Sequence, residues 1–179
     1  MNLTRFGFVF LALLLACSGC DQGLAPLNAP SGFSGVIHFK NWPSADSVWE
    51  LRIIAFSTYP TDSASILIAL ANGNAAIYPP IGASGFRWFV TDGGVQKLRD
   101  SLQYTFATTG TSLQVSSYGY VVLAWRYGSN FLTDWRPGGV YSLLPGANTP
   151  SPVRVLLHRI QPDVDILVDF HNLPPRPWR

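Results

Sequence analysis

The chain has 179 residues, with 12 Lys and Arg against 10 Asp and Glu, for a formal net charge of +2. Only 12% of residues are charged and 13% are aromatic, alongside 14 Pro and 16 Gly. This balance excludes the clustered basic face that nucleic acid requires, and it favours a compact β-protein over a helical one.

The N-terminus reads as an address. Phe6 to Ala16 is apolar throughout and follows Arg5. As a helix this run would be about 16 Å long, roughly half the hydrocarbon core of a bilayer. A charged start, a short apolar stretch and small residues at its end describe a secretory signal over 1–16. The junction at its end resembles the lipobox of bacterial lipoproteins, in which Leu and small residues precede a Cys that receives lipid. Leu14-Leu15-Ala16-Cys17 and Cys17-Ser18-Gly19-Cys20 both fit, and Leu14 favours Cys17 over Cys20 as the lipidated residue. A metal site would need about four ligands, and the chain has no other Cys. Each buried CH₂ contributes about 0.8 kcal/mol, so several acyl chains make a lasting anchor. Residues 17–33, rich in Gly, Pro and Ser, form a tether. Removing the signal leaves 11 basic against 10 acidic residues, and enough chain for one domain over 34–173.

Strand patterns begin with "SGVIHFK" (34–40), which alternates, and "VWELRIIAF" (48–56), which is β-prone; "NWPSAD" between them carries turn residues. "DSASILIALANGN" is read as a short helix near 62–72, capped by Asp62 or Ser63 and stopped at Gly73. The same residues also fit a strand entering an Asn72-Gly73 hairpin. "YPPIGASGFRWFVTDGG" is expected to be a long loop against the domain. "SLQYTFA" (101–107) places Leu102, Tyr104 and Phe106 on one side. "GYVVLAWRYG" (119–128), apolar on both faces, predicts a central strand. "GVYSLL" (139–144) and "PVRVLL" (152–157) come next, with Pro137, Gly138 and Gly139 setting a turn before the first of them. "DVDILVDF" (163–170) puts Val164, Ile166, Val168 and Phe170 on one face and Asp163, Asp165 and Asp169 on the other. About seven such strands predict an all-β fold, an antiparallel sandwich, with a Pro-rich tail over 174–179.

Tyr104-Thr105-Phe106 followed by Gly119-Tyr120-Val121-Val122-Leu123-Ala124 resembles the carboxypeptidase-regulatory-like and transthyretin-like β-sandwich modules. The mature chain also looks like a set of uncharacterised bacterial envelope lipoproteins ending in a similar "DWRPGGVY…VDF…LPP". The resemblance implies a prealbumin-like sandwich used for scaffolding or binding, and fold likeness by itself carries no activity across.

Chemistry-bearing residues are sparse. His38, His158 and His171 are scattered, and neither G-x-S-x-G nor H-E-x-x-H occurs. Neighbouring carboxylates in the Asp163, Asp165 and Asp169 row lie about 7 Å apart or more along a strand, so the row reads as a solvated face and no metal or cofactor is expected. Trp49, Trp88 and Trp125 sit in apolar runs and read as packing. Trp42, Trp135 and Trp178 sit in Pro-rich loops, where aromatic rings serve as protein anchors or sugar platforms. Trp135 is expected to fold back as a lid on the sandwich. Trp42, Trp135 and Tyr141 are the residues a ligand surface would use. The expectation is a lipid-anchored, non-catalytic domain of the bacterial cell envelope, at the outer membrane, that binds another envelope protein. A carbohydrate-binding module is the alternative, and a hydrolase ranks below both.

Overall fold

The computed structural model describes residues 29–144 and 146–176. The fold is all-β with one short helix, as the strand patterns require. The strands are β1 (Gly32–Lys40), β2 (Glu50–Phe56), β3 (Ala75–Tyr78), β4 (Phe89–Asp92), β5 (Val95–Leu98) and β6 (Ser101–Ala107). They continue with β7 (Ser117–Tyr118), β8 (Tyr120–Arg126), β9 (Trp135–Val140), β10 (Val153–Arg154), β11 (Ile160–Gln161) and β12 (Ile166–Asp169). The helix α1 spans Ser63–Ala71.

One sheet is antiparallel in the order β3-β2-β8-β9. In the other, β1 pairs antiparallel with β6 on one side and parallel with β11 and β12 on the other. The parallel pairing of β12 differs from the purely antiparallel expectation: the crossover that returns the chain to β1 brings β12 in alongside it in the same direction. A bridge between Tyr141 and Ile166 ties the two sheets at one corner. Their inner faces share Phe33, Ile37, Leu51, Ile53, Phe106, Val121, Leu123, Ile166 and Val168, each fully buried. Each such side chain contributes about 1.5–3 kcal/mol by leaving water. β8 is central, as its two apolar faces predict: one faces the core and the other lies under α1.

The helix reading of 62–72 holds. Asp62 accepts from Ser65 N at 2.6 Å, and Ser65 Oγ accepts from Asp62 N at 3.1 Å, which is a complete capping box. Gly73, at φ 73°, ends the helix. Ile66, Ala69 and Leu70 pack on Phe56, Tyr120, Val122 and Val140 on the outside of the β3-β2-β8-β9 sheet.

Three expectations change. The segment read as a long loop, 78–94, carries the last residue of β3, all of β4 and the turn of the β4–β5 hairpin, at Gly93 and Gly94 with φ 56° and 82°. β1 starts at Gly32, inside the stretch read as tether. Pro137, Gly138 and Gly139 lie within β9 rather than in a turn before it. The glycine at 139 serves packing: a Cβ there would stand 2.3 Å from Leu167 O. Its absence lets the β12 backbone close against β9.

Candidate functional site

Glu50 lies opposite Arg126 across β2 and β8, and Arg126 lies opposite Trp135 across β8 and β9. Their neighbours Leu51 and Trp125 point into the core, so strand alternation sends Glu50 and Arg126 to the outer face. There Nη2 of Arg126 is 3.1 Å from Glu50 Oε2. Its Cζ lies 5.7 Å from the ring centre of Trp49 and 5.9 Å from those of Phe131 and Trp135. Three aromatic rings therefore surround one guanidinium. Phe131 meets Trp135 edge to face at 5.9 Å, and Trp135 Nε1 donates to Phe131 O at 2.7 Å.

The loop that carries Phe131 is fastened by Asp134. Its carboxylate accepts from Asn130 N and Thr133 Oγ1, each at 2.9 Å, while Tyr127 N donates to Asp134 O. On the other flank Glu50 also pairs with Arg52, which is buried. Arg52 donates in addition to Pro79 O, Pro80 O and Ala83 O, so it holds the loop after β3. One carboxylate thus serves two guanidiniums, which leaves the group with one net positive charge. The surface around it is apolar and open: Trp49 is 49% exposed, Phe131 46% and Leu132 77%.

A second pair of arginines lies on the opposite face of the sheet, the face of Trp125 and Tyr127. Arg136 sits over Trp125 at 5.7 Å and Arg176 over Tyr127 at 5.3 Å. Burial, and then the nearby Arg176 charge, hold the Arg136 pKa below its usual value.

Of the three expected ligand residues, two lie away from this surface. Trp42 is sandwiched between Phe39 and Phe170, with ring centres at 4.5 and 4.8 Å, and its Nε1 donates to Arg99 O at 2.9 Å. Tyr141 is buried at the corner where the sheets meet. Burial, then Asp165 and Asp163, raise its phenol pKa. It lies six residues along the chain from Trp135, about 20 Å away in extended geometry. Trp135 alone stands in the exposed cluster, on the outer face. Cys17, Cys20 and Trp178 lie outside the described residues.

His158 Nδ1 faces Ala29 O at 3.2 Å, near the start of β1, while His38 lies toward its end. Asp165 accepts from Val36 N, and Asp169 accepts from Asn41 Nδ2 and His171 N, so both bind local backbone and side chains. Among the described residues no group of three or more His, Cys, Asp or Glu is placed to hold a metal ion. The Asp face does border a groove of about 490 Å³ with His38, Lys40, Ser142, Asn148 and Asn172.

Glu50, Arg52, Arg126 and Phe131 are residues that sequence reasoning passed over, and Trp49, expected to serve packing, is half exposed instead. The signal for the three charged ones was present in "VWELRIIAF" and "VVLAWRYG", where lone charges interrupt apolar strands and therefore require partners. Comparison with known protein families, curated proteins and solved structures yields no match. Among the described residues no helix is long and apolar enough to cross a membrane.

Proposed function

We propose that the chain is a lipid-anchored protein of the bacterial cell envelope, held through Cys17 at the outer membrane. In this reading the sandwich is non-catalytic and binds another envelope protein at the Arg126 cluster. The observation that carries it is the ring of half-exposed Trp49 and Phe131 around a guanidinium with an excess positive charge. Trp and Arg dominate protein-binding hot spots, because a large ring gains area at little entropic cost and a guanidinium fixes orientation. The partner surface that fits is apolar with a carboxylate at its centre. The resemblance of Tyr104–Phe106 and Gly119–Ala124 to the motifs of transthyretin-like modules points to the same reading.

A photo-crosslinking side chain at Leu132, in the full-length protein in its native envelope, tests this. A discrete adduct at that position, lost on Trp49→Ala and missing from the same probe at Val95, supports it. No adduct, or the same adducts from both positions, overturns it. Intact mass of the detergent-extracted chain decides the anchor: a mature chain starting at lipidated Cys17 is expected, and one starting at Cys20 or retaining its signal overturns that assignment.

Carbohydrate binding stands as the second reading, favoured by the groove beside His38 and Lys40, whose volume and mixed donors and acceptors suit a sugar. Retention on immobilised envelope polysaccharide that falls on Asp165→Ala, with the Leu132 adduct missing, would select it.

A further inference from the structure

Away from the corner where β9 meets β12, one sheet ends in β3 and the other in β6, and the two are finished differently. β3 has four residues and runs into Pro79-Pro80, and beyond it Phe86 N donates to Leu51 O, continuing the edge of β2. β6 has seven residues, Ser-Leu-Gln-Tyr-Thr-Phe-Ala, with no Pro, no charge and no break in register against β1. Edge strands of soluble domains normally carry one of those protections, because an open row of donors and acceptors templates another strand.

The hydrogen-bond phase of β6 can be assigned. Ser34 O accepts from Val164 N and Val36 N donates to Asp165, so these residues of β1 face the β12 side. Phe33, Gly35 and Ile37 therefore face β6, in register with Phe106, Tyr104 and Leu102. Gln103 and Thr105 between them turn their N–H and C=O away from β1, and among the described residues neither backbone pair has another partner. Both side chains are exposed.

We propose that two copies of this chain join through β6, antiparallel about a two-fold axis at Tyr104. In that register Gln103 of one copy faces Thr105 of the other, twice, and each pair exchanges two backbone bonds, so all four outward groups on each copy are satisfied. The occupant is a second copy because the strand suits itself. No like charges meet across the axis: Arg99 and Asp100 fall opposite Thr109 and Thr108 of the other copy. An isologous contact of this kind also closes, leaving no open edge for further addition. The interface is separate from the Arg126 cluster.

Sedimentation equilibrium of the full-length lipidated protein in mild detergent, at micromolar concentration, tests the inference. A dimer is expected. Thr105→Pro removes only an outward N–H, at an edge position where Pro is tolerated, and should give a monomer that still melts cooperatively, with a midpoint that no longer rises with protein concentration. The register has its own test, independent of any folding defect from proline. Gln103→Lys with Thr105→Lys places like charges opposite each other and should raise the dissociation constant about ten-fold at low salt. Gln103→Lys with Thr105→Glu should restore it. A monomeric wild type, or a dimer indifferent to both double variants, overturns the proposal.

Discussion

Glu50 holds two arginines at once: its Oε2 lies 3.1 Å from Arg126 while its other oxygen takes Arg52. Removing that carboxylate would leave two guanidiniums largely out of water without a counter-charge, since the Arg52 side chain is 6% exposed and that of Arg126 18%. Glu50→Ala should therefore destabilise the domain by about 3–5 kcal/mol. Urea unfolding checks this, and a loss under about 1 kcal/mol would mean that solvent replaces the carboxylate at little cost. Arg126→Lys should cost less, because the ammonium keeps the charge while losing the planar fit among the rings.

The two loop tryptophans should separate in a stability measurement. Trp42 fills the space between Phe39 and Phe170 and its indole N–H is satisfied, so Trp42→Ala should cost about 3–5 kcal/mol. Trp135 gives up one edge-to-face contact and one cation–π contact on the outer face, so Trp135→Ala should cost about 1–2 kcal/mol. Equal losses in thermal melts would show that Trp135 seals the core after all.

Gly139→Ala should be more damaging than its single methyl suggests. The added Cβ would meet Leu167 O at 2.3 Å and Val168 Cγ2 at 3.0 Å, forcing β9 and β12 apart where the sheets join. A loss of about 2 kcal/mol or more is expected, in the range of overpacked cores. Gly82→Ala, where no atom lies within 4 Å and φ is positive, is the control for backbone strain alone.

Alkaline pH should weaken the fold through its buried phenols. Burial raises the pKa values of Tyr104 and Tyr120 above the ordinary 10.0, with Asp165 adding to the first and Tyr59 to the second. Below about pH 10 both states keep these protons and the stability is fully present. Above it the unfolded chain releases them while the folded one cannot, so stability falls with rising pH, by about 1.4 kcal/mol per pH unit for each phenol. Melting temperatures across this range check the sign, and Tyr120→Phe should flatten the decline.

The strands β1, β2, β6, β8 and β12 were legible because their alternation, or their apolarity on both faces, reports burial on one side or two. The cap at Asp62 and the stop at Gly73 were legible because both are local chemistry. The sequence by itself thus determined the all-β class, the central place of β8 and the helix. It could not determine what Gly138 and Gly139 are for, since a turn and a close approach by a distant strand require the same missing side chain; the arrival of Leu167 from β12 decides it. Nor could it place Trp42 and Trp135 on different surfaces. Both follow polar or charged residues near a Pro, and only the meeting of Phe39 with Phe170 buries one of them. The grouping of Trp49, Glu50, Arg126, Phe131 and Trp135 likewise belongs to the tertiary structure. Its residues lie up to 86 positions apart in the sequence, and strand register, which no single strand encodes, brings them side by side.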